Sequence, residues 1–161
     1  MSRYSHAFAL ACLLGGFALA PAGASLAATG HDHGHEHGAQ SLQLNEGKRW
    51  STDAPLRQAM GAVNESMRRA LPAIHENRLP EARYGQLAEE VRGQVAYMVE
   101  NCNLPADADA QLHLVIARML EGADGMAGDA RQRRQGAVTV LGALQDYASH
   151  FDDPQFSPIR H

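Results

Sequence analysis

The sequence predicts an all-α protein, an up-down-up-down four-helix bundle that follows a cleaved signal peptide and a disordered His-rich arm. Three observations predict it. Four successive segments of roughly 20 residues repeat apolar positions near the helical period. The connections between them are short and marked by Pro, Gly or Asn. No stretch alternates apolar and polar residues well enough to compete as a strand. Short connections between long helices favour antiparallel neighbours, and residues 51–161 are enough chain for one core without disulfides.

The chain opens with Arg3 and an apolar run from Ala7 to Ala20, then turns to small residues in "PAGASLAATG". This is the layout of a secretory signal peptide, assigned to residues 1–27, with cleavage expected after Ala27. The run is shorter than the roughly 20 apolar residues of a membrane-spanning helix. The expected mature protein is exported to a periplasm and has no membrane segment. Residues 28–50 form the arm and lead-in. "HDHGHEHG" has no apolar periodicity and cannot bury a core, whereas Trp50 is expected to pack against the domain that follows.

The bundle domain is assigned to residues 51–161. Its first helix starts at the capping cluster "STDAP", with Pro55 in the first turn, where a missing N–H costs nothing. Its stripe is Leu56, Met60, Val63, Met67 and Ile74, and Pro72 is expected to kink its last turn. The second helix runs from about Pro80 to Cys102 on Leu87, Val91, Val95, Met98 and Cys102. The third starts at "PADAD", where acidic residues suit a helix N-terminus. It carries Leu112, Val115, Ile116, Met119 and Met126, with Gly122, Gly125 and Gly128 expected to loosen its end. The fourth, from about Arg131 to Phe151, carries Val140, Leu141, Leu144, Tyr147 and Phe151, and "DDPQFSP" stops it.

Composition narrows the function. The whole chain has a formal charge of −4, and removing residues 1–27 takes away Arg3, His6 and Cys12. What remains is acidic, and its one basic cluster, Arg131–Arg134, reads as solvated surface, so nucleic acid is not an expected partner. A single cysteine, Cys102, is left in an oxidising compartment. It would be a buried thiol, half of an intermolecular disulfide or a metal ligand.

Two places carry ligand-type residues. In the arm, His31, His33, His35 and His37 put four imidazoles beside two carboxylates within eight residues, a flexible multidentate set for copper, nickel or zinc. In the bundle, the topology collects Met60, Cys102, His113 and His150 at one end, while His75 falls at the other. A thiolate, two imidazoles and a thioether suit copper, and the thiolate with two imidazoles would also hold zinc. Taken singly, Met60 is an ordinary core residue and His150 suits a helix C-terminus through the dipole.

The stretch "PLRQAMGAVNESM" resembles the first helix of the soluble periplasmic four-helix cytochrome b family, which places a haem-ligating methionine four residues after a leucine. Leu56 and Met60 stand so here, and "DYASHF" puts His150 where that family has its second axial ligand. The resemblance implies a b-type haem held by Met60 and His150. No C-x-x-C-H is present for covalent attachment. The chain also looks like a group of small exported proteins labelled DnrO, which share "TDAPLRQ" and a C-terminal "HFD-P" pattern.

The expected function is a periplasmic metal-binding protein, copper first, in buffering, tolerance or delivery. The first alternative is a b-type haem electron carrier using Met60 and His150. The second is a cofactor-free structural or adaptor bundle that binds a periplasmic protein partner or forms a homodimer, with Cys102 as a cross-link. No catalytic constellation stands out, so an enzyme is not expected.

Overall fold

The computed structural model describes residues 41–159. The expected signal peptide and His31, His33, His35 and His37 lie outside the described residues. Among the described residues there are four helices: α1 (Ala54–His75), α2 (Glu81–Asn101), α3 (Ala106–Met126) and α4 (Ala130–His150). Each packs on the next, and α4 returns to α1, which closes the antiparallel four-helix bundle that the periodicity predicts.

Local chemistry sets the helix starts. Asp53 N-caps α1 by accepting from Leu56 N at 2.9 Å, with Pro55 in the first turn. Asp129 caps α4 in a reciprocal box: its carboxylate accepts from Arg131 N and Gln132 N, while Gln132 Oε1 accepts from Asp129 N at 2.9 Å. Helices α2 and α3 begin after Pro80 and Pro105 without a side-chain cap. In α3, Asp107 and Asp109 meet the positive end of the dipole instead. Helix α1 runs through Pro72 to His75.

The predicted stripes form the core. Leu56, Met60, Val63, Leu87, Val115, Met119, Val140, Leu144 and Tyr147 are all sealed from solvent. Five methionines, Met60, Met67, Met98, Met119 and Met126, are buried to within 1 %. Thioethers fill irregular space in helical cores, so burial of Met60 alone points to packing.

Helix α3 does not loosen at its glycines. They are where α4 comes closest. A Cβ on Gly122 would lie 2.8 Å from Gly136 O and 2.9 Å from Val140 N, and one on Gly136 would lie 2.5 Å from Gly122 O. The two backbones meet along this seam, and α3–α4 is the most extensive helix contact. Helices α1 and α4 touch far less.

The residues that flank the four helices close on the bundle. Asn45–Lys48 forms a tight turn through mutual 2.8 Å backbone bonds, with Glu46 and Gly47 at positive φ. Gln43 N donates to Gln111 Oε1 at 2.7 Å, and Trp50 Nε1 to Gln43 O at 2.6 Å, so the lead-in is anchored on α3. Trp50 packs against the core as expected. Two short strands, β1 (Trp50–Ser51) and β2 (Phe151–Asp152), then pair in parallel and tie the entrance of α1 to the exit of α4.

Residues 153–159 do more than stop α4. Asn64 Nδ2 and Arg68 Nη2 both donate to Ser157 O at 2.9 Å, and Ile159 is buried, so this segment lies along α1. At its root Tyr147 donates its hydroxyl to Asp153 Oδ2 at 3.0 Å. The Tyr147 ring stacks on Phe151 and meets Phe156 edge-on.

Two stability outcomes are expected in urea denaturation followed by circular dichroism. Gly136→Ala forces the α3–α4 backbones apart and should cost about 1–3 kcal/mol, the usual range for overpacking. Gly93→Ala sits where a Cβ meets nothing within 4 Å, and should gain up to about 1 kcal/mol from helix propensity. The reverse order would refute the close seam. Tyr147→Phe should cost about 1–3 kcal/mol by removing a donor from the buried Asp153 carboxylate. An unchanged urea midpoint would mean that this bond contributes nothing.

Candidate functional site

The bundle end where α1 starts, α2 gives way to α3 and α4 stops is organised by one carboxylate. Asp53 Oδ1 caps α1, and its Oδ2 accepts from Asn103 N at 2.7 Å in the α2–α3 turn. Cys102 follows α2 and is half-buried. Burial, the Asp53 charge, a hydrogen bond to that carboxylate and the charge of Asp109 together push the Cys102 thiol up to about 11. Each of these disfavours the thiolate. The thiol is neutral near neutral pH, neither an activated nucleophile nor a ready-made metal ligand.

The two histidines share a local arrangement. His113 Nδ1 lies 2.9 Å from Asp109 O, and His150 Nδ1 lies 2.8 Å from Asp146 O, each a carbonyl one turn back. Pairing with a carbonyl requires Nδ1 to carry the proton in a neutral ring, which leaves Nε2 with its lone pair. Metal-bound histidines commonly have their other nitrogen tied in this way. His113 is exposed and also lies 3.5 Å from Asp109 Oδ2. Its side chain stands outside the core stripe of Leu112, Val115 and Ile116.

The sequence-predicted residues therefore meet only in part. Asp109 touches His113 and bears electrostatically on Cys102, which puts the thiol and that imidazole in one neighbourhood. Cys102 also bears on Tyr147, in the last turn of α4, three residues before His150. Met60 is fully enclosed in the core. Among the described residues, no three His, Cys, Asp or Glu side chains come together as a metal-binding group. A folded copper or zinc centre on Cys102, His113 and His150 would need these side chains to turn toward one another. Two surface clefts lie along α1, and neither Met60 nor His150 lines them.

Several residues of this end were not predicted as a group. Asp53 was legible as a cap, but its bonds to the α2–α3 turn span some 50 residues and leave no local signal. Tyr147 reads as one more stripe residue, although its hydroxyl and the buried Asp153 form a polar pair. Burial, the charge of Asp153 and the bond to it all hold the Tyr147 phenol well above its ordinary range.

With known proteins, the comparison is negative at every level: no family model, curated protein or solved structure matches the chain.

The thiol gives a pH test. Alkylation of Cys102 by iodoacetamide, followed on its own peptide by mass spectrometry, should rise with a midpoint near about 11. In urea the midpoint should fall to about 8.5. Because the folded value is the higher one, this group's stabilising contribution is whole below the unfolded pKa and lost as pH rises toward 11. Asp53→Asn removes the nearest negative charge and should move the folded midpoint down. A midpoint already at the urea value would refute the Asp53–Cys102 coupling.

Proposed function

We propose that this chain is a periplasmic metal-binding protein that takes copper, in buffering, tolerance or delivery. The observation that carries the reading is the arm, where His31, His33, His35 and His37 alternate with Asp32, Gly34 and Glu36. Imidazole donors at that density suit copper ahead of zinc and nickel by intrinsic affinity. Ordering a His- and Gly-rich segment around an ion costs conformational entropy, which favours exchange over permanent retention.

The bundle end supports the reading in a second way. His113 and His150 keep an Nε2 lone pair with Nδ1 held by backbone, and Cys102 adds a soft donor once its proton leaves. A metal there would supply the charge that releases the proton. Met60 would complete the set only if the core opened beside it. The arm is therefore the primary site, and the bundle set the slower, softer one.

Elemental analysis of the exported protein, from cells supplied with copper and haem, tests this. At least about one copper per chain is expected, as for a multidentate imidazole set. Replacing His31, His33, His35 and His37 with Asn should remove most of it, while Cys102→Ser should lower only what remains under reducing conditions. Copper at the level of an unrelated helical bundle would overturn the proposal. So would zinc or nickel retained in preference to copper. Iron in its place would return Met60 and His150 to the centre as haem ligands.

A further inference from the structure

The His-rich arm joins the bundle at a fixed point. Its chain enters the described residues at Ser41. Just beyond, Gln43 is held from two sides: its N–H donates to Gln111 Oε1 at 2.7 Å, and its carbonyl accepts from Trp50 Nε1 at 2.6 Å. Trp50 in turn pairs with Phe151, the residue that follows His150. The root of the arm is thus fastened to α3 and to the exit of α4 together.

Helix geometry puts His150 at the same seam. Arg118 of α3 and Asp146 of α4 form an ion pair across it, so those two flanks face each other. His150 lies one turn beyond Asp146 on the same flank, with Nδ1 2.8 Å from Asp146 O. Gln111 lies two turns before Arg118, again on the same flank. In antiparallel helices both steps lead toward one bundle end, and at about 1.5 Å rise per residue they differ by only about 4–5 Å. His150 therefore stands nearly level with Gln111 and faces it. His113 does not, because two residues turn an α-helix by about 200° and carry it to the opposite flank of α3 from Gln111. The His150 nitrogen that remains is open to a ligand. Among the described residues Nε2 has no hydrogen-bond partner, and Asn64 Oδ1 is the one unpartnered side-chain atom sealed from solvent.

We infer that the arm and His150 form one copper site, with His35 and His37 as the arm ligands and His150 Nε2 as the third. This rests on the copper reading of the arm, and it moves His150 from the set with Cys102 to the arm. His37 precedes the clamped Gln43 by six residues, which span at most about 20 Å. The last two imidazoles of the arm therefore reach the His150 side of the seam. In an extended chain residues two apart face the same side, which presents His35 and His37 to one ion together. His150 brings an imidazole whose Nδ1 is already held by backbone, so it adds a donor without ordering further chain. A short tether keeps that donor at an effective concentration on the order of millimolar to an ion on the arm. Three imidazole nitrogens suit copper(II) and leave a position open for exchange.

The test is a copper(II) competition titration of the exported protein against a chromophoric chelator, with copper kept below the protein concentration. His150→Gln keeps a side-chain donor for the Asp146 carbonyl but removes the imidazole, and should weaken copper binding by at least about tenfold. His113→Gln should leave it unchanged. Inserting about twenty Gly and Ser residues between Gln40 and Ser41 keeps every ligand but dilutes the arm around His150, and should weaken binding several-fold. Circular dichroism checks the fold of each variant, and the insertion decides the matter even where His150→Gln unfolds. Three results would overturn the inference. The first is undiminished affinity in folded His150→Gln or in the insertion variant, which leaves copper on the arm alone and that reading intact. The second is an equal loss in His113→Gln, which moves the ion to the other flank of α3. The third is no copper bound by the unaltered protein, which removes the arm reading as well.

Discussion

A single carboxylate, Asp53, holds together the end of the bundle on which everything else depends. It starts α1 by capping Leu56 N, fixes the α2–α3 turn through Asn103 N, and adds to the burial that holds the Cys102 thiol protonated. These tasks are coupled because one charge performs them. A charge-assisted bond to a backbone N–H is worth more than a neutral one, and here two such bonds draw on elements 50 residues apart. Beside it, the β1–β2 pairing and the bond from Thr52 Oγ1 to Asp152 O at 2.7 Å fasten the exit of α4 to the same place. All four helices thus have a terminus at this one locus.

The opposite constraint, close approach, acts along the bundle. Gly122, Gly125 and Gly136 let α3 and α4 meet backbone to backbone. That asymmetry has a geometric consequence. Drawing α4 onto α3 leaves α1 with less of α4 to pack against, and the C-terminal segment takes the exposed side of α1. A loop covers a helix less evenly than another helix does, because it lacks a regular row of side chains to fill the grooves. The clefts along α1 flank this segment, with Arg68 and Ser157 common to both.

How much of this was legible in the sequence depended on range. The four helices were, because Leu56, Met60, Val63 and Met67 repeat at the helical period and the cluster "STDAP" marks the start of α1; the Asp129 cap of α4 was not read from the sequence. Met60, Leu144 and Tyr147 were legible as core for the same reason. The glycines of α3 were misjudged, because propensity alone marks Gly as a breaker. Only the partner helix shows that its absent Cβ is what the packing requires. The Asp53–Asn103 bond, the Tyr147–Asp153 pair and the docking of Ser157 on Asn64 join residues distant in sequence or hidden in a turn. No periodicity encodes them. The candidate ligands were placed at the right end by topology, but topology fixes a side chain's level and not its direction. His113 shows the difference, since it sits at the expected level and faces solvent.

Direction also decides what the bundle end can do with a metal ion. A site whose ligands already converge binds fast and changes little, whereas Cys102 is neutral, hydrogen-bonded to Asp53 and shadowed by a second carboxylate, Asp109. Capturing a soft cation on that sulfur must expel a proton and break the bond to Asp53. The two carboxylates that suppress the thiolate would then face a cation, and the repulsion that raised the thiol becomes attraction for the metal. Protonation and metal are thus alternative ways to neutralise one acidic locus. On the proposed reading, occupancy would strengthen with rising pH, and metal capture at Cys102 would draw on the same carboxylate that caps α1.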